Sequence, residues 1–150
     1  MNILITGSSG FVASSLISSL CTSNHDILCL SRDIARVSER FKDNKNINFI
    51  KIDITKESLL ELDFKPEIVI NLAAAQPSGN STDWSTFYEG NVEVVRKLLE
   101  LSFSEGVKKF LHISTTSIYS SPSRKPYDEN SVPNPNNLYS LSKFMGDSLL

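Results

Sequence analysis

Tyr139 and Lys143 stand four positions apart in "NNLYSLSKFMG", residues 136–146. On a helix, positions i and i+4 share one face about a turn apart. An ammonium beside a phenol favours the phenolate, which makes such a tyrosine a usable general acid and base, and the same ammonium can hydrogen-bond a ribose. A pair of this kind standing alone is more often a solvated helix face, so its weight comes from its company. Thr115, in "HISTTS", offers a hydroxyl that could hold the oxygen Tyr139 protonates or deprotonates.

A second constellation is "TGSSGFVAS", residues 6–14. Gly7 permits a tight turn, Gly10 lets the backbone come close to a pyrophosphate, and Ala13 keeps the following helix near the strand. The helix start then presents amide donors and the positive end of its dipole to an anion. This reads as a dinucleotide-binding loop. An acidic residue at the end of the second strand would hold an adenosine ribose through its 2′-hydroxyl and select NAD. Here Ser31 and Arg32 stand in its place, and a hydroxyl beside a guanidinium suits a 2′-phosphate. NADP is therefore favoured over NAD, with Asp33 turned inward for NAD as the competing reading. Asp53 reads as an adenine contact, with a helix N-cap ahead of Thr55 as the alternative.

These side chains need a scaffold that gathers them. Short apolar runs at 2–6, 26–31, 47–53, 67–73 and 108–115 alternate with helix-like segments at 10–22, 33–42, 55–62 and about 85–104. The alternation predicts five parallel strands with helices on both faces of the sheet. Right-handed crossovers would then line up the strand ends at Thr6, Ser31, Asp53, Asn71 and Ser114 along one edge. Gly106 is placed as the C-cap of the fourth helix. The segment 120–137 holds four of the six prolines and reads as a long surface loop leading to the Tyr/Lys helix.

A chain of 150 residues with 40% hydrophobic and 21% charged residues supports one domain with a real core rather than a disordered segment. Its net charge of −2 provides no basic footprint for nucleic acid and no polybasic membrane signal. No apolar stretch nears the ~18 residues of a membrane span, and "MNILITGSSG" lacks the basic start of a secretion signal, so a cytoplasmic location is expected. Cys21 and Cys29 have no histidine at ligand spacing and read as core thiols, with no metal site expected.

With these pieces in place, the sequence resembles the extended short-chain dehydrogenase/reductases, and within them the NAD(P)-dependent sugar-nucleotide epimerase/dehydratase group. The likeness runs the length of the chain. It rests on the loop at 6–13, "IDI" at 52–54, "NLAA" at 71–74, "GNVEVVRKLLE" at 90–100, "FLHISTTSIYS" at 110–120 and "YDENSVPNPNNLYSLSK" at 127–143. It implies a Rossmann-type doubly wound α/β fold and an epimerase or oxidoreductase acting on a nucleotide-linked sugar, with Thr115, Tyr139 and Lys143 as the catalytic set. It further implies that Phe11 and Val12 join Gly7 and Gly10 at the pyrophosphate, and that Asp53 and Ile54 meet the adenine. Leu72, Ala73, Ala74 and Gln76 would lie on the ribose and nicotinamide side, with Asn91 packed near the cofactor and Tyr139 and Lys143 touching it.

Under the same resemblance, residues 1–150 would be an incomplete cofactor-binding domain, the substrate lobe of family members lying beyond it, and a homodimer is a further expectation. An NADPH-dependent reductase of a keto sugar or small carbonyl compound and a non-catalytic dinucleotide-binding module are the competing readings. Dehydratases of the group carry Asp-Glu directly after the threonine. Thr116 and Ser117 stand there, which argues against water elimination.

Overall fold

Strands buried on both faces need no polar alternation, and the run "NILIT" has none inside it. In the computed structural model, which describes residues 1–77, 83–119 and 126–150, this run is the central strand of a sheet. The chain divides into two compact units, Met1–Ala74 with Lys97–Ile113, and Ala75–Arg96 with Ser114–Leu150.

The first unit holds β1 (Asn2–Thr6), β2 (Asp26–Ser31), β3 (Ile47–Lys51), β4 (Ile68–Asn71) and β5 (Lys109–His112). Among the described residues they form one parallel sheet in the order β3-β2-β1-β4-β5. The order reverses direction at β1, so the ends of β1 and β4, with Thr6 opposite Asn71, flank the place where open α/β sheets take ligands. Helices α1 (Phe11–Leu20) and α2 (Ala35–Arg40) cross between the first three strands. Ile3, Ile5, Ile27, Cys29 and Ile47 pack with Ala13 and Ile17 of α1 and Val37 of α2 in one core cluster. The alternate residues Leu4, Leu28, Leu30 and Val69 are buried as well, so both faces of the sheet are covered. Burial pushes the Cys29 thiol up to about 12, with the nearby Cys21 adding to the effect, which suits a packing role and not a nucleophilic one.

The second unit holds α3 (Trp84–Tyr88), a π-helical turn (Glu89–Glu93), the start of α4 (Val94–Glu105), a 3₁₀ turn (Thr116–Tyr119) and α5 (Leu138–Asp147). Within this unit α5 packs on α3, on the π-helical turn and on the 3₁₀ turn. Asn137 caps α5: its side chain accepts from the Ser140 amide at 2.8 Å, and the Ser140 hydroxyl accepts from the Asn137 amide at 3.2 Å.

Two elements depart from the sequence expectation. The helix read at 55–62 does not form. The Asp53 carbonyl closes a single turn with the amides of Lys56 and Glu57, both at 2.9 Å, and the chain then turns away because later carbonyls are taken by a lysine side chain from α4. The single helix read at 85–104 is interrupted by the π-helical turn, where Gly90 lies so close to Ala75 that a Cβ on it would meet the Ala75 methyl at 2.6 Å. Gly106 does end α4 as expected: it takes φ +65°, and the Val107 amide reaches back to the Ser102 carbonyl at 2.9 Å. Of the predicted surface loop, residues 120–125 lie outside the described residues.

Candidate active site

In the first unit the glycine loop is fixed by contact as much as by conformation. Gly7 has φ +64°, and a Cβ there would stand 2.7 Å from the Ala73 nitrogen and the Leu72 carbonyl carbon. Any side chain would force the β1 and β4 ends apart. Beneath the loop, the buried Thr6 hydroxyl donates to Asn71 Oδ1 at 2.6 Å, the Ala73 amide donates to the same oxygen at 3.2 Å, and Asn71 Nδ2 meets His112 Nδ1 at 2.9 Å. With Asn71 Oδ1 accepting twice, its amide nitrogen faces His112, which makes Nδ1 the acceptor there. This polar string joins the ends of three strands.

Gly10 begins α1 without a side-chain cap, leaving the first-turn amides to an outside acceptor. Phe11 and Val12 on that turn are 90% and 56% exposed. At the end of β2 the Ser31 hydroxyl lies 2.8 Å from that of Ser9, and Arg32 beside it is exposed. Asp53 lies beyond β3. The Thr55 hydroxyl above all holds its carboxyl below the usual carboxylate range, with weaker help from Lys56 and Arg32. Its Oδ1 also accepts from the Thr55 amide at 3.2 Å, so its side chain does cap a turn, one that no helix continues. Ile54 is buried, Leu72, Ala73 and Ala74 are half-buried, and Gln76 is exposed.

In the second unit Tyr139 and Lys143 share one face of α5, as their spacing requires. The Tyr139 ring is half-buried with its edge on the buried Phe87 of α3, at 5.9 Å between centroids. Lys143 is only 1% exposed. Burial pulls its ammonium below the ordinary lysine value, and the carboxylate of Asp147, one turn on, works in the opposite direction. Asp147 in turn accepts a hydrogen bond from Ser114. Thr115 stands immediately before the 3₁₀ turn, where its hydroxyl accepts from the Ser117 amide at 3.2 Å.

Asn91, on the π-helical turn, is 1% exposed and holds Ala75 on both sides of its peptide. Oδ1 accepts from the Ala75 amide at 2.8 Å, and Nδ2 donates to the Ala75 carbonyl at 3.0 Å and to the Ser142 hydroxyl at 2.9 Å. Ser142 passes the link to the Tyr139 carbonyl at 2.8 Å. Gly146 completes this packing: a Cβ on it would lie 2.3 Å from the Asn91 carbonyl oxygen. Phe87, Ser142, Gly146 and Asp147 escaped the sequence reading; a glycine and a serine on the face of a short helix otherwise rich in apolar residues were the available signal.

A doubly wound parallel sheet with an uncapped glycine loop after its first strand defines a Rossmann-type nucleotide-binding domain. The chain belongs to the NAD dependent epimerase/dehydratase family, whose model matches residues 3–150. It is 32% identical to UDP-glucose 4-epimerase of Mycolicibacterium smegmatis, over all of this chain (100%) and 50% of that protein. Among solved structures it is similar to UDP-glucuronic acid 4-epimerase of Bacillus cereus in complex with NAD (TM-score 0.86, 29% identity, 99% of this chain and 51% of that one). The Bordetella bronchiseptica enzyme WbmG in complex with NAD is similar too (TM-score 0.88, 29% identity, 100% of this chain and 49% of that one). The chain thus spans about half the length of the curated relatives it matches. Both of those structures hold NAD, so they lend no support to the NADP preference read from Ser31 and Arg32. Among the described residues, no helix is long and apolar enough to cross a membrane.

Proposed function

We propose that the chain carries the cofactor-binding and proton-transfer parts of an NAD(P)-dependent enzyme acting on a nucleotide-linked sugar, an epimerase or an oxidoreductase. The observation that carries this reading is the second unit's constellation: Tyr139 and a buried Lys143 on one face of a capped helix, with Thr115 immediately before the 3₁₀ turn packed against that helix. The relatives named above support the substrate class. A dinucleotide fits the first unit's residues, because the amides after Gly10 lack a side-chain cap and Phe11 and Val12 are exposed beside them.

In the oxidative direction the Tyr139 oxygen takes the proton of a substrate hydroxyl, and the Thr115 hydroxyl holds the same oxygen in place. Lys143 favours negative charge on the phenol oxygen while that proton is in transit. A bound nicotinamide would supply the hydride acceptor for the carbon that bears the hydroxyl. Tyr139 returns its proton in the reverse step. An epimerase would show no net change of cofactor, whereas an oxidoreductase would leave one cofactor changed per sugar.

Candidate nucleotide sugars are offered to the whole protein with NAD and with NADP while reduced-nicotinamide absorbance and sugar configuration are followed. Tyr139→Phe should lower turnover by about a thousandfold and leave cofactor affinity nearly unchanged. Strong residual turnover removes Tyr139 from the proton-transfer role, and cofactor binding without turnover by the unaltered protein favours the non-catalytic reading. For the cofactor, the adjoining Ser9 and Ser31 hydroxyls and the exposed Arg32 support a 2′-phosphate contact. Arg32→Ala should then weaken NADP more than NAD, and equal losses would remove that contact.

A further inference from the structure

We infer that Lys97 of α4 is a positioning residue for the adenosine end of the dinucleotide, acting through the turn that follows β3. The inference rests on the dinucleotide-binding reading above. Lys97 Nζ donates to the carbonyls of Ile54 at 2.7 Å, Thr55 at 3.0 Å and Glu57 at 3.1 Å. An ammonium has three donors, and here three carbonyls from one turn take them.

The turn around Asp53 is otherwise closed on itself. The Asp53 amide donates to Glu57 Oε1 at 2.8 Å, and the Asp53 carboxylate takes the Thr55 amide and hydroxyl at 3.2 and 2.7 Å. Buried Ile52 and Ile54 pin the backbone on either side of Asp53. What remains is a set of carbonyls with no helical partner, because the segment does not continue as a helix, and Lys97 converges them. Their placement matters for binding because the turn leaves the carboxyl end of β3. Lys51 there pairs in register with Ser31 of β2, next to Arg32. Ligands of open α/β sheets lie outside the strand carboxyl ends, so the backbone that Lys97 holds is part of the wall the adenosine meets.

A lysine that merely stabilised the fold would lower the melting temperature and leave affinities alone at temperatures well below it. A positioning lysine changes affinity for the adenosine end in the folded protein. Calorimetric titrations with AMP and with NAD(P), run well below each variant's melting temperature, separate the two. Lys97→Met is expected to weaken AMP and dinucleotide binding by about tenfold, and Lys97→Gln, which keeps one donor, by less.

Lys97→Arg keeps the charge, but its planar fork cannot aim three donors at three converging carbonyls, so a few-fold loss is expected. It also supplies the measurement if Lys97→Met does not fold. Unchanged AMP affinity in the folded Lys97→Met and Lys97→Arg proteins overturns the inference while the dinucleotide reading stands. Failure of the unaltered protein to bind AMP, NAD or NADP overturns both.

Discussion

Replacing Asn91 with leucine tests the link between the π-helical turn and α5. The two side chains share one branched skeleton but leucine is the bulkier, so the change removes hydrogen bonds without opening a cavity, and any overpacking adds to the loss. Three bonds are lost, to the Ala75 amide, the Ala75 carbonyl and the Ser142 hydroxyl. At about 1 kcal/mol net for each, the loss is about 3 kcal/mol, and more where the Ala75 groups stay shielded from water. Ser142 keeps its bond to the Tyr139 carbonyl and adds little to the cost. Urea unfolding reads this as a lower midpoint at unchanged slope. A difference below about 1 kcal/mol would show that the carboxamide is not what holds Ala75.

Asn91→Asp sharpens the test. It keeps an acceptor for the Ala75 amide but can donate to the carbonyl only while the new carboxyl is protonated. Its folded pKa must then lie above the ordinary ~3.9, so the extra stability is present below that value and is lost as pH rises through the folded one. A stability difference between this variant and the parent that does not change with pH would refute the two-sided clamp.

Gly146→Ala should destabilise by about 2 kcal/mol in the same urea assay, since the added methyl would stand 2.3 Å from the Asn91 carbonyl oxygen and α5 would have to shift. Parent-like stability would mean the helix moves away at no cost. Lys143→Met should raise stability at neutral pH, because burial holds the lysine below its ordinary value and the unfolded chain binds that proton more tightly. The gain should shrink as pH climbs from the folded value towards the unfolded ~10.4, and a gain that grows with pH would reverse the assignment.

What could be read locally and what could not divide along physical lines. β1 and β2 begin and end where their apolar runs do, since a strand buried on both faces announces itself by composition alone. Gly106 was legible for a similar reason: ending a helix in the left-handed region is a local demand. The misread helix at 55–62 is different. Its local pattern suits a helix, but its carbonyls are claimed by Lys97, some 40 residues on in the chain, and no window of neighbouring residues contains that information.

The π-helical turn follows the same logic, because its cause is a carboxamide bonded to Ala75, 16 residues earlier, and a glycine lying against that residue. That Tyr139 and Lys143 share one face of α5 was legible from their spacing. What packs around them was not, since Phe87, Asn91 and Ser114 reach α5 from far away in sequence. In each miss a polar or aromatic side chain, supplied at long range, satisfies or positions a segment whose own sequence is neutral on the matter. Such residues are therefore to be sought first among polar side chains wholly or partly buried on helices, as Asn91 and Lys97 are.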